Sequence, residues 1–174
     1  MQTSNRLLLA IRVANEAHNG QYRKWGHSSI PYIIHPLRVM NNVAMILEST
    51  EDMVIAAVLH DVLEDTKLTE ADLVAKGFGG EVVLFVKALT NPSKGSNLTR
   101  ADRKAMDRQH LAGASWEVKV IKLADRIDNM LEVRNDPTSP KDFVELYKNE
   151  SRLLLEVLKG TNEELEAVLA KLVC

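Results

Sequence analysis

The chain has almost no cysteine: among its 174 residues only Cys174, the last, carries a thiol. That excludes an intrachain disulfide and any thiolate cluster, so a bound metal has to be held by nitrogen or oxygen. No apolar run approaches the roughly 18 residues of a membrane span, which excludes a helical membrane segment. A broad basic surface is missing too. The formal net charge is −2, and a protein that coats nucleic acid needs a basic face to neutralise phosphates. Basic residues fall instead into short groups, Arg23-Lys24, Arg100 to Arg108 and Lys119 to Arg126, so a local positive pocket for a small anion is compatible with an acidic total. Taken singly, each group reads as a solvated helix face. Met1 to Arg6 leads into a short apolar segment interrupted by Arg12, without a small-residue cleavage site; no signal peptide is expected, and the cytoplasm is the expected compartment. Repeats, low-complexity tracts and linkers are also lacking. With 45% hydrophobic and 26% charged residues, residues 1–174 suit one domain whose core needs no staples. A homo-oligomer is compatible with the sequence, but no heptad or identifiable interface supports one.

What is present is helical periodicity. Leu7, Leu8, Ile11, Ala14 and Ala17 predict a first helix ended by Gly20. Pro36 reads as an early position of a second, whose apolar stripe is Leu37, Met40, Val43, Ala44 and Leu47. Glu51-Asp52 open a third, Thr69 to Asp72 begin a short one, and Lys76 to Gly80 turn into a helix containing Val82, Val83, Phe85, Val86 and Leu89. Tyr22 to Pro31 and Asn91 to Asn97 are loops, the second rich in turn formers and expected to be mobile. Ala101 to Leu111, Glu117 to Leu131, Phe143 to Leu158 and Asn162 to Leu172 complete an all-α chain, with a turn at Asp136 to Pro140 and Gly160 between the last two helices. The Val-rich start of Glu117 to Leu131 reads as helix because only spacings of three and four keep Asp125, Asp128 and Asn129 on one face.

The run His60-Asp61-Val62-Leu63-Glu64-Asp65 closes the apolar stretch Met53 to Leu59. On a continuing helix Glu64 lies beside His60 and Asp61, and Asp65 beside Asp61, so one imidazole and three carboxylates share about half the cylinder. Ala56-Ala57, one turn earlier, lets another helix approach, and the cluster is expected to point into packed protein. Buried unpaired carboxylates are unfavourable, and a bound cation neutralises them. The candidate ligands are His35, His60, Asp61 and Asp125, from three segments. Two imidazoles and two carboxylates suit one divalent transition ion: manganese, iron, cobalt, nickel or zinc. Blander readings make His35 a helix-start hydrogen bonder and Asp125 a partner of Arg126 or Lys122. His18, His27 and His110 read as structural or surface histidines, with His18 able to support the site from the first helix.

Four ordered motifs span almost the whole chain: Ala17-His18-Asn19-Gly20-Gln21-Tyr22-Arg23-Lys24, Pro31-Tyr32-Ile33-Ile34-His35-Pro36, His60 to Asp65, and Lys122-Leu123-Ala124-Asp125-Arg126-Ile127-Asp128-Asn129. Together they resemble the HD superfamily of metal-dependent phosphohydrolases and, more closely, the hydrolase domain of the RelA/SpoT family. The resemblance implies a compact multi-helix HD-domain fold. With no nucleotidyl-transferase or regulatory region following, the chain is similar to the stand-alone small alarmone hydrolases, for which hydrolysis without synthesis is implied. It further implies one Mn2+ held by His35, His60, Asp61 and Asp125, and removal of the 3′-pyrophosphate of guanosine tetra- or pentaphosphate to leave GDP or GTP. Glu64 and Asp65 match the catalytic acidic pair, Glu64 as water-orienting general base and Asp65 assisting it. Arg23 and Lys24 match a basic pair near the substrate, Asn129 a contact to the nucleotide or phosphate, Lys94 a phosphate contact and Tyr147 a nucleoside contact. Two departures stand out. Relative to the long bifunctional enzymes, three extra residues enlarge the segment between Lys24 and Pro31, so Trp25 and His27 are expected to reshape the pocket rim, and Asp128 stands where those enzymes often carry histidine, which leaves base preference open. The same metal site would serve an adenosine alarmone or NADPH, and without turnover it would be a nucleotide-binding module; the intact Glu64-Asp65 pair favours an enzyme.

Overall fold

The computed structural model describes residues 4–24 and 30–174. In chain order the helices are α1 (Asn5–Ala17), α2 (Ile34–Ala44), α3 (Glu51–Leu59), α4 (Val62–Asp65), α5 (Glu70–Ala75), α6 (Glu81–Leu89), α7 (Arg100–Ala112), α8 (Trp116–Asn135), α9 (Lys141–Leu158) and α10 (Glu163–Leu172). Among the described residues there is no sheet, only an isolated antiparallel bridge between Tyr22 and Pro31. No helix among them is long and apolar enough to cross a membrane.

Helix α3 is hydrophobic all round, with Met53 and Ile55 to Leu59 buried. Having no polar face to give to water, it takes a central place, packed by α1, α2, α6 and α8. Thr50 starts it by accepting the Met53 N–H, and Glu51 and Asp52 complement the positive end of the helix. The second interior helix is α8, which touches α2, α3, α6, α9 and α10. It buries Val118, Val120, Ile121, Leu123, Ala124, Ile127, Met130 and Val133, but also Asp125, Asp128 and Glu132. A fully buried apolar side chain contributes roughly 1.5–3 kcal/mol. A buried carboxylate instead needs a partner, so these three acids mark where the fold has a second task.

All ten helices among the described residues contribute to one connected apolar core running from Ala10 to Val173. Local signals set most boundaries. Thr69 and Asp72 form a reciprocal capping box at the start of α5, and Thr99 and Asn162 cap α7 and α10 through their side chains. Gly160 turns the chain between α9 and α10 at φ +78°, a conformation that disfavours other residues. One stripe residue is misplaced by periodicity: α2 ends at Ala44, so Leu47 lies beyond it and is 95% exposed. The loop at 91–97, expected to be mobile, is anchored. Ser93 is buried and donates its N–H to Asp107, while Asn91 and Lys94 bind Glu64 and Asp65.

Candidate metal centre

The run His60 to Asp65 does not continue α3. That helix stops at Leu59, His60 and Asp61 form a turn, and a single helical turn, α4, begins at Val62. A physical reason lies in the His60 ring. Its Nδ1 is 2.8 Å from the carbonyl of Ala57, the acceptor that the Asp61 N–H would take in an unbroken helix. The expectation of one acidic helix face is therefore corrected, and so is that of an inward-facing cluster: His60 is buried, but Glu64 is half-buried and Asp65 exposed.

Donation from Nδ1 to the Ala57 carbonyl leaves the His60 Nε2 lone pair facing the space between α2, α3 and α8. This nitrogen is buried and without a hydrogen-bond partner, although Asp61 Oδ2 lies 2.9 Å away. His35, on the first turn of α2, is oriented in the same manner: Nδ1 donates to Asp128 Oδ2 at 2.7 Å. Its Nε2 then faces Asp125 Oδ1 at 3.2 Å and Asp61 Oδ2 at 3.6 Å. The two rings meet edge to face, centroids 5.1 Å apart. Ligand atoms of His35, His60 and Asp61 all lie within 4.8 Å of one another. Asp125 Oδ1 borders the same space, 3.8 Å from His60 Nε2. Ligands about 2.1 Å from one ion sit roughly 3–4 Å apart, so a divalent cation fits this donor set, and the orphaned His60 nitrogen is the atom it would satisfy.

The electrostatics fit the same picture. Burial works against a charged His35, yet hydrogen bonds to Asp125 and Asp128 and the charge of Asp61 outweigh it and raise the imidazole to about 9. Asp61 is half-buried, and the loss of water opposes its ionisation, but the neighbouring imidazoles of His60 and His35 hold its carboxyl well below the usual range. For Asp125, burial is overcome first by Lys122 and then by His35. Lys122 Nζ lies 2.8 Å from Asp125 Oδ2, so of the two cationic partners weighed from sequence Lys122, not Arg126, takes this acid. Without an ion, protonated His35 does the neutralising that a cation would do.

The acidic pair stands beside this cluster. Glu64 accepts from both nitrogens of Asn91: the backbone N–H at 3.0 Å and the side-chain amide at 2.9 and 3.0 Å. Asp65 Oδ1 takes Lys94 Nζ at 2.9 Å, and its backbone carbonyl takes Gln21 Nε2 at 2.8 Å. Tyr32 links the two groups, donating its hydroxyl to Asp61 Oδ2 at 2.6 Å and lying 3.4 Å from Asp65 Oδ2. Burial first, then the charge and hydrogen bond of Asp61, push the Tyr32 hydroxyl far up, so it stays a donor.

The other sequence candidates are distributed around this centre. Asn129 donates to Asp125 Oδ1 and accepts from Arg23 Nη2 at 2.7 Å. Arg23 is buried and already committed to Glu132 by a close ion pair, its Nε donating at 2.7 Å, with the Tyr32 ring 5.3 Å away. Lys24 is exposed. Tyr147 is half-buried under the Arg126 guanidinium, 4.5 Å from the ring, and stacks on Phe143. His18 binds Gln21 and packs on Tyr32 at 4.6 Å, a supporting place, and His110 binds the Ala88 carbonyl. Trp25 and His27 lie outside the described residues. Sequence reasoning did not single out Asn91, Tyr32 or Glu132. Asn91 and Glu132 reach the site only through tertiary packing, while Tyr32, three residues before His35, sat within a quoted motif.

Residues 10–149 match the HD domain family. The guanosine-3′,5′-bis(diphosphate) 3′-pyrophosphohydrolase MESH1 of Drosophila melanogaster is 32% identical over 170 residues, covering 94% of this chain and 90% of that protein. Its Danio rerio namesake is 31% identical, covering 95% and 91%. A guanosine-3′,5′-bis(diphosphate) 3′-pyrophosphohydrolase of Haemophilus influenzae is 35% identical, but the match takes up only 23% of that longer protein. Among solved structures, one described as a metazoan ortholog of SpoT that hydrolyses ppGpp superposes with a TM-score of 0.87 at 28% identity, covering 99% of this chain and 96% of that one. The chain belongs to the HD domain family, and within it to the group of small guanosine-3′,5′-bis(diphosphate) 3′-pyrophosphohydrolases that it matches over nearly their whole length.

Proposed function

We propose that this chain is a manganese-dependent 3′-pyrophosphohydrolase of guanosine tetra- and pentaphosphate, acting as one catalytic domain over residues 1–174. The observation that carries this reading is the convergence of His35, His60 and Asp61 beside Glu64 and Asp65. The activity named for the Drosophila and zebrafish relatives supports the substrate, and the continuous core supports the single domain. His35, His60, Asp61 and Asp125 would hold the ion, which supplies polarisation of a phosphoryl oxygen and acidification of water. The nitrogen and carboxylate donor set without sulfur admits manganese among the divalent transition ions, and the choice of manganese rests on the resemblance to the RelA/SpoT hydrolase domain.

The chain's own residues divide the remaining work. Glu64, fixed by Asn91, orients the attacking water and accepts its proton at a carboxylate oxygen. Asp65 holds Lys94 at the mouth of the site, where the ammonium meets substrate phosphate. Asn129 and Arg23 form a hydrogen-bonded edge for the nucleotide, Lys24 adds positive charge beside it, and Tyr147, its ring packed against Arg126 and Phe143, is left to meet the nucleoside by its edge. The overall step adds the water oxygen to the phosphorus bonded to O3′, breaks that P–O3′ bond and returns a proton to O3′, giving GDP or GTP and pyrophosphate.

The test is incubation of the purified protein with Mn2+ and guanosine tetraphosphate, an adenosine alarmone or NADPH in parallel. Release of GDP and pyrophosphate from the guanosine substrate, faster than any release from the others, is the expected result. Turnover of NADPH alone would assign a different nucleotide to the site, and nucleotide binding without any product would make it a binding module.

A further inference from the structure

Lys122 does two things: its ammonium holds Asp125, and it lines a small pocket with Lys104, Arg108 and Arg126 against the carboxylates of Asp107 and Glu150. Asn91, which fixes Glu64, lines the same pocket. The pocket thus shares two walls with the candidate active site. Its acids are already engaged. Glu150 takes Arg100 through two hydrogen bonds, at 2.6 and 2.9 Å, and Asp107 accepts the Ser93 N–H at 3.3 Å.

The cations are less well satisfied. Arg126 is 7% exposed, its contact to the Ser151 hydroxyl is long at 3.5 Å, and its Nε is buried with no hydrogen-bond partner. A buried guanidinium N–H without an acceptor is unfavourable, and an oxyanion is the ligand whose shape and charge answer it. Lys104 lies 3.9 Å from Asp107, and burial together with the charges of Arg126 and Lys122 pushes its amine down, a sign of positive charge crowded into one place. Nothing in the metal cluster or the acidic pair uses Lys104, Arg108 or Arg126.

We infer that this pocket is a phosphate-binding subsite which receives the outer phosphate of the substrate's 3′-diphosphate and holds the pyrophosphate as it leaves. The substrate part of this inference rests on the function proposed above; the anion site itself does not. The phosphorus bonded to O3′ reacts beside Asp61 and Asp125, and Lys122 marks the way from that point to the outer phosphate. Such a site distinguishes a 3′-diphosphate from a 3′-monophosphate.

The test is calorimetric titration of inorganic pyrophosphate into the full chain with chelator present, so that no metal contributes. It compares the unmodified protein with Lys104→Ala, Arg108→Ala and, as a distant charge control, Lys171→Ala. Lys104 and Arg108 are half-buried rather than core residues, and thermal melts report whether each variant folds. The expected result is pyrophosphate binding weakened about tenfold or more by each pocket substitution, the size of one lost charge-assisted hydrogen bond, and by less than about twofold in the control. Unchanged affinity in folded pocket variants, an equal loss in the control, or no pyrophosphate binding to the unmodified protein would overturn the inference. Because no nucleotide enters this titration, an inactive protein that still shows the pattern would fail the guanosine reading and keep the anion site.

Discussion

His35, His60 and Asp125 sit on or at the end of helices that share the core, and each is aimed by another group: Asp128 for His35, the Ala57 carbonyl for His60, Lys122 for Asp125. Glu64 and Asp65 ride instead on the single turn α4, tied across to Asn91 and Lys94 of a loop, and Asp65 is exposed. The difference follows from what each region has to do. Ion ligands tolerate little misplacement, and the proposed ones hang from helices packed in the core and are held by surrounding hydrogen bonds. Groups that meet a substrate need access, and the proposed pair stands on a short element at the rim.

That contrast can be broken from either side. The largest effect is expected at the rim: Glu64→Gln should lower kcat by about 10²–10⁴-fold, the range for a lost general base, while metal and nucleotide affinity stay close to the original. Unchanged turnover would remove Glu64 from the role of base. On the buried side, the raised His35 makes a pH prediction. A group whose folded pKa lies above its unfolded value stabilises fully below the unfolded value, and that contribution is lost as pH rises through the folded one. With His35 moving from 6.5 to about 9, the metal-free protein should lose up to about 3 kcal/mol between those pH values. Saturation with a divalent ion should flatten the profile, since an ion needs the neutral imidazole. A metal-free melting profile without this slope contradicts the assignment.

Asp128→Asn is expected to weaken metal binding about 10–100-fold, as loss of a carboxylate that orients a ligand histidine does, with helix content unchanged by circular dichroism. Equal affinity would mean that packing alone sets the His35 ring. The smallest effect belongs to Asn91→Ala. It removes the amide contacts to Glu64 but leaves the backbone N–H, so kcat should fall by roughly tenfold, about 1.4 kcal/mol, with metal affinity unaffected. A parallel fall in metal affinity would erase the distinction between the two regions.

Much of the fold was legible locally. Thr50 with Glu51-Asp52, Thr69 with Asp72, and Gly160 announce helix ends through the chemistry of orphan backbone groups, which acts over three or four residues. The candidate ligands were nameable for the same kind of reason, since His60-Asp61 beside an apolar run is already anomalous. What sequence could not provide was the break after Leu59. It depends on the His60 ring finding the Ala57 carbonyl, a competition between side chain and backbone that periodicity does not register. Arg23 shows the other limit. Read as half of a basic pair near the substrate, it is buried against Glu132, more than a hundred positions away, and only tertiary packing reveals that partner. Leu47 illustrates the opposite error, an apolar residue in register with α2 but beyond its end.

The central claim is that three separate stretches of chain surround one ion. Anomalous diffraction at the manganese edge, on crystals of the protein grown with Mn2+, tests it most directly. The account predicts one peak about 2.0–2.3 Å from His35 Nε2, His60 Nε2 and carboxylate oxygens of Asp61 and Asp125. A fully loaded protein whose peak lies elsewhere, with His60 Nε2 still unliganded, would contradict it.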